Sequence, residues 1–224
     1  MKFKIPPKKN LKLINDFFIK KGLKNLVYQS KLSQKNSAND MIVDEPYVPE
    51  VKDLYMLYQY IVLNKRTTIL EFGSGWSSLI FCLAMQDLKK KYNKKIVNLR
   101  RSNPFEIFIL ENEKKYLNIT KKRINKYNKI KSTNYVKINY NYSHVSMGKY
   151  QDRIVTEYER LPTCSPDFIY LDGPDQFIVK KNINGISTNH KDMMPMICDI
   201  LKFEYFYTPG TMIICDGRSA NVKF

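Results

Sequence analysis

The chain has 224 residues, 43% hydrophobic and 26% charged, enough for one sizeable core and too apolar for wholesale disorder. Lys and Arg outnumber Asp and Glu by 38 to 21, a formal net charge of +17, yet only seven of the cations are Arg. A phosphate-reading surface favours Arg forks, so the charge reads first as a solvated lysine coat, with nucleic acid the lesser alternative, and no apolar run nears the roughly 18 residues of a membrane span.

In chain order, the basic start MKFKIPPKKNLKLINDFFIKKG is broken by Pro6, Pro7 and Asp16 and lacks a small-residue cleavage site, unlike a secretory signal. Leu11, Ile14, Phe17, Phe18 and Leu26 have the spacing of an amphipathic helix, interrupted near Gly22. Residues 29–40 are polar and predict a loop or linker, and PEVKDLYMLYQYIVLN from Pro49 predicts a helix. Residues 1–49 therefore read as a basic helix-and-linker appendage to a domain spanning 50–224.

An alternation follows. The run TTILEF predicts a first strand, GSGWSS a turn, and the next residues a helix to about Tyr92; FEIFILE (105–111) predicts a second strand and NEKKYLNITKKRINKY a lysine-rich second helix. Further strands are expected in NYVKINYNY (134–142), DFIYLD (167–172) and GTMIICDG (210–217), with a helix in NHKDMMPMICDILKFEYFY despite Pro195. Strands apolar on both faces and separated by helices predict an α/β fold, a doubly wound, mostly parallel sheet. The polar stretch 143–166 has no clear period; a loop that long in a compact domain is usually functional or holds an element that the pattern does not reveal. Cys82, Cys164, Cys198 and Cys215 are scattered and never spaced C-x-x-C, which argues against zinc or a disulfide framework and for a reduced, cytoplasmic protein.

Four strands end in acids: Glu71-Phe72-Gly73, Glu111-Asn112, Asp172-Gly173 and Asp216-Gly217. In a doubly wound sheet, ligands bind beyond such strand ends. A nicotinamide fingerprint would need glycine at position 78, where Ser78 stands, and an acid about 20 residues further on; a P-loop would need G-K-[ST].

EFGSGWSS resembles the first motif of class I S-adenosylmethionine-dependent methyltransferases, with FILEN, IYLDGPD and MIICDG following in that family's order over residues 50 to 217. The resemblance implies a Rossmann-like methyltransferase binding S-adenosyl-L-methionine along Glu71, Gly73, Ser74, Gly75 and Trp76, with Asp172 nearby and Glu111 gripping both ribose hydroxyls. Trp76 departs from the commoner small residue and either floors the pocket or packs under the sheet. LDGPDQF replaces the N/D-P-P-Y/F motif of base amino-methylases and looks more like the turn of small-molecule and sugar O-methyltransferases. That likeness implies a small-molecule or sugar hydroxyl as acceptor, with an RNA-directed enzyme or a non-catalytic binding module of the same fold as alternatives. In some of those enzymes acids after the fourth and fifth strands hold a metal, which places a possible Mg²⁺ on Asp172 and Asp216, with Asp175 alongside. Of the two histidines, His144 and His190, His144 past the third strand is the expected general base. The family's sheet continues beyond a fifth strand, whereas this sequence reaches RSANVKF there; a sheet lacking the last strands, with an open edge and a possible homodimer, is the expectation.

Overall fold

In the computed structural model, residues 3–33, 48–96, 103–132, 136–190, 193 and 197–217 are described. Five strands, β1 (Thr68–Phe72), β2 (Glu106–Glu111), β3 (Lys137–Tyr142), β6 (Phe168–Leu171) and β7 (Met212–Cys215), form one sheet in the order β3-β2-β1-β6-β7, and every neighbouring pair is parallel. This is the expected Rossmann-like α/β arrangement. Its order reverses between β1 and β6, the switch point where the strand ends diverge and leave a crevice.

Side-chain parity explains the layers. Ile69, Ile107, Ile109, Phe168 and Tyr170 point to one face, and Leu70, Phe72, Phe108, Leu110, Ile169 and Leu171 to the other. Both sets are buried, so the inner strands read as unbroken apolar runs instead of alternating ones. The first face is covered by α3 (Val51–Leu63), α4 (Trp76–Ile96) and α5 (Lys114–Lys131). The short helices α1 (Leu11–Lys20) and α2 (Lys24–Ser33), divided at Gly22 (φ +84°), add Ile14, Phe18, Leu26 and Val27 to the same core, with Leu23 from the link between them. The basic N-terminal segment thus packs into the domain that follows it.

The second face supplies the element left unassigned in the sequence and corrects one expectation. Residues 143–166 contain an antiparallel hairpin, β4 (Val145–Tyr150) and β5 (Arg153–Tyr158), whose Val145, Met147 and Tyr158 pack against Leu70, Phe72 and Leu110. Its two-residue turn, Gln151-Asp152, has positive φ at both positions (48° and 62°), a conformation usually announced by Asn-Gly or Asp-Gly. The helix expected over 189–207 is, among the described residues, only the one-turn α6 (Asp199–Lys202) and a 3-10 turn at Glu204–Phe206; Ile197, Phe203, Tyr207 and the hairpin cover the sheet in its place. No helix among the described residues is long and apolar enough to cross a membrane. The four cysteines are free. β7 lies at the sheet's edge and Ile213 on it is 41% exposed.

Candidate functional site

Strand register brings the acids together. Phe72 pairs with Leu110 on one side and Leu171 on the other, and Leu171 pairs with Cys215. One residue further along each strand, Gly73, Glu111, Asp172 and Asp216 stand level across the carboxyl rim. Glu111, Asp172 and Asp216 share the parity of Ile109, Tyr170 and Ile214, so all three are on the helix-covered face.

Glu71 has that parity too but lies one layer lower. It is fully buried, and the hydroxyls of Ser77 and Ser78 donate to its two oxygens at 2.5 and 2.6 Å. Ser78 Oγ also accepts from Gly75 N–H at 3.1 Å, so one serine ties the acid beneath the sheet rim to the turn above it. Burial outweighs both serine bonds, helped by the charges of Asp172 and Glu111, and pushes the Glu71 carboxyl up to about 8. Glu71 does not line the cleft; it props the turn that does.

Glu111 is 2% exposed and reaches the glycine turn. Its Oε2 accepts from Ser74 Oγ at 2.7 Å, and its Oε1 from the N–H groups of Asn112 and Glu113 at 2.8 and 2.9 Å. Burial again wins over these three bonds and raises the carboxyl to about 7. A carboxylate offers about four acceptor sites. One remains, on Oε2, so accepting both hydroxyls of a diol requires the Ser74 hydroxyl to turn away and places both bonds on Oε2. Gly73 N–H donates to Leu110 carbonyl at 2.7 Å, which folds the turn back over β2.

A cleft of about 460 Å³ opens above this rim, within the usual range for small-molecule sites. Gly73, Ser74, Gly75, Trp76, Glu111, Asp172 and Asp216 all line it, as does Asp175. Of the four strand-end acids expected to converge, Glu111, Asp172 and Asp216 do so, while Glu71 stays beneath the turn. Asn112 and Asp175 exchange two hydrogen bonds (3.0 and 2.8 Å), locking the loop after β6 to the end of β2. The far wall comes from Glu50, Asp53, Leu54 and Leu57 at the start of α3, and from Tyr116 and Arg123 on α5. Burial, Glu50 and Asp216 together raise the Asp53 carboxyl.

His144 does not line the cleft. Tyr142 is paired with Glu111 on the outer edge strand β3, and just beyond it the chain crosses to the other face of the sheet, where Val145 is buried. The His144 ring meets Tyr142 instead, Nδ1 to hydroxyl at 3.1 Å. His190 is likewise outside the cleft, although its carbonyl accepts from the Gln176 amide, which lines it. Trp76 is 8% exposed and has the Arg123 guanidinium over its ring, 4.0 Å from the centroid.

Asp172 and Asp216 share the cleft, which Tyr170 also lines. Among the described residues no group of three or more His, Cys, Asp or Glu is arranged to hold a metal ion. A Mg²⁺ bound here would rest on the Asp172 and Asp216 carboxylates alone, with water completing its octahedron.

Several of these groups carry no sequence signal of their own. Glu50 caps the start of a helix and Asp53 stands in its first turn, where acids are common for helix-dipole reasons alone. Arg123 could have been noticed as the single Arg among seven Lys in α5. The sequence matches no protein-family model, and no curated protein matches it.

Proposed function

We propose that the chain is an S-adenosyl-L-methionine-dependent methyltransferase acting on a small-molecule or sugar hydroxyl. The observation that carries this is the contact between Ser74 and Glu111, which sets a buried carboxylate against a glycine turn at the switch point of a parallel sheet. A nucleoside lying there meets a ribose acceptor on one side and the N-terminus of α4 on the other.

The charge of the cleft supports a cationic ligand. The whole chain carries +17, yet among the described residues the cleft is lined by Glu50, Asp53, Glu111, Asp172, Asp175 and Asp216 against one cation, Arg123. Low-dielectric walls lined by one sign of charge focus the local field, so a sulfonium is favoured here in spite of the lysine coat outside. The cofactor supplies the methyl group; the protein's task is to align acceptor oxygen, methyl carbon and sulfur, exclude water, and take up a proton.

With His144 outside the cleft, the proton passes to an aspartate. Asp53 suits this best, because burial and the neighbouring charges of Glu50 and Asp216 raise its carboxyl toward neutrality, where a base works most effectively. Gly75 and Ser74 act on the cofactor; Asp53, Asp172 and Asp216 act on the acceptor.

Calorimetric titration with S-adenosylmethionine and S-adenosylhomocysteine tests this. Binding by the wild type, weakened about tenfold or more in Glu111→Ala, is the expected result on the scale of hydrogen bonds to a charged group. No binding, or binding indifferent to residue 111, would sink it. Incubation of a metabolite extract with methyl-labelled cofactor then separates an enzyme from a binding module.

A second reading, RNA as the acceptor, draws on a different surface. Lys20, Lys21, Lys89, Lys90 and Lys131 line a groove between α1, α4 and α5. RNA binding there must weaken steeply with salt; a shift assay without that slope excludes it.

A further inference from the structure

One occupant of the cleft has no part in the chemistry above. α5 holds seven lysines and one arginine, and the arginine, Arg123, is the one drawn into the cleft wall. Its guanidinium lies over the nearly buried Trp76 ring, 4.0 Å from the centroid. Tyr116, seven residues earlier and so on the same helix face, lines the cleft beside it.

We propose that Arg123, held over the Trp76 ring, is an anion-receiving group that takes a carboxylate or phosphate of the molecule bound in the cleft.

Stacking occupies the π face of a guanidinium and leaves its in-plane N–H fork available, the geometry that receives carboxylate or phosphate in bidentate fashion. Six carboxylates line the same cleft, yet among the described residues none forms an ion pair with Arg123. Burial alone depresses its pKa, to about 10, so it stays cationic at neutral pH while bearing a desolvation cost that the ring offsets only in part. A lysine on the outer face of α5 bears no such cost. Drawing the helix's one arginine inward, among acids it does not pair with, places a positive spot in an otherwise negative cleft. A bound molecule with a cationic and an anionic end is thereby oriented, its anion at the α5 wall and its cation at the strand-end acids.

Two sources would present this anion: the amino-acid carboxylate of the cofactor, which rests on the function proposed above, or a phosphate or carboxylate on the acceptor, which does not. Calorimetry on wild type, Arg123→Met and Arg123→Lys with S-adenosylmethionine, its decarboxylated analogue and inorganic pyrophosphate separates them, with thermal unfolding as the check on folding. If the cofactor supplies the anion, the wild type binds S-adenosylmethionine about tenfold or more tighter than the decarboxylated form, and Arg123→Met erases the difference. If the acceptor supplies it, the two cofactors bind alike, pyrophosphate binds the wild type, and Arg123→Met loses that binding. Arg123-dependent pyrophosphate binding without any cofactor binding would remove the methyltransferase proposal and leave this one standing. Should Arg123→Met not fold, Arg123→Lys carries the comparison, since it keeps the charge and loses the fork; a several-fold loss of anion affinity is expected. Equal anion affinities in the folded wild type and variants, in both arms, overturn the proposal and make Arg123 a packing residue for Trp76.

Discussion

Gly73 and Gly173 stand back to back across the switch point, one at the end of β1 and the other just past β6. A Cβ built on Gly73 would lie 2.8 Å from Gly173 N, and one built on Gly173 would lie 2.6 Å from Gly73 N and 2.7 Å from its Cα. Gly73 also has φ +99°, while a Cβ on Gly75 meets nothing closer than Ser77 Oγ at 3.8 Å. The two glycines of the turn therefore have different tasks: one admits another strand's backbone, and the other keeps the cleft open. Gly73→Ala and Gly173→Ala should each destabilise the chain by about 2–4 kcal/mol, from overpacking against main chain with left-handed strain added at residue 73. Gly75→Ala should stay within about 1 kcal/mol of wild type and weaken ligand binding instead. Urea unfolding of the three variants checks this; equal losses at 73 and 75 would contradict it.

The buried acids set a pH dependence. Glu71 is raised from its ordinary 4.5 to about 8 by burial, and Glu111 and Asp199 are each raised to about 7, also chiefly by burial. The folded state keeps these protons after the unfolded chain has lost them. The unfolded state binds fewer protons between the two pKa values, so stability is highest below pH 4.5, falls as pH rises, and levels off near pH 8. Glu71→Gln retains an oxygen and a donor for Ser77 and Ser78 but cannot ionise. Its loss of stability from pH 5.5 to 8 should be smaller than that of wild type, by up to about 1.4 kcal/mol per pH unit. Matching slopes of denaturation midpoint against pH in the two proteins would count against a buried, proton-holding Glu71.

Much of the sheet was legible because both of its faces are buried: TILEF, EIFILE and FIYL are strand-length apolar runs, and each is a strand with every residue buried. The strand-end acids were legible for the same reason, since a parallel sheet brings all its carboxyl ends to one rim. The hairpin was not. Its turn uses Gln151 and Asp152 in a conformation without glycine, and β4 alternates weakly, with Gly148 and Lys149 toward solvent. His144 was misplaced because its distance along the chain from a strand end says nothing about which face the chain next crosses to. Asp53, Tyr116 and Arg123 enter from helices, where only the packing of α3 and α5 about α4 decides what faces the cleft.

Asn112 controls the loop after β6. Its side chain donates to Asp175 carbonyl and accepts from Asp175 N–H, and Asp175 in turn accepts from Phe177 N–H at 2.9 Å. Asn112 is 2% exposed, so replacing it with Ala leaves both backbone groups of Asp175 without that partner in a sheltered place, a cost of about 1–3 kcal/mol. The loss should be local. Amide exchange at Asp175 and Phe177 is expected to speed up by about tenfold or more in Asn112→Ala, while the amides of β1 and β2 exchange as before. Uniform acceleration across the sheet would show that Asn112 supports the whole fold and not this loop.

Glu111 makes ligand affinity depend on pH in a direction opposite to that of stability. Its carboxyl, raised to about 7, is largely protonated just below neutrality, and a protonated oxygen is a poorer acceptor for a ribose hydroxyl than an ionised one. A nucleoside that donates to Glu111 stabilises the carboxylate, so binding should tighten as pH rises through 7 and reach a plateau above it. Ser74 competes for the same oxygen at 2.7 Å. Ser74→Ala removes both that competitor and a bond to the charged form: the plateau should begin at higher pH, since one group favouring ionisation is lost. Glu111→Gln should bind more weakly above pH 7 and show no step near it. Calorimetric titration with S-adenosylhomocysteine from pH 5.5 to 8.5 reads all three curves. A wild-type curve flat across that range, or a step that survives in Glu111→Gln, would mean that the ligand does not contact this carboxylate, and the cleft's ribose anchor would have to be sought among Asp172, Asp175 and Asp216.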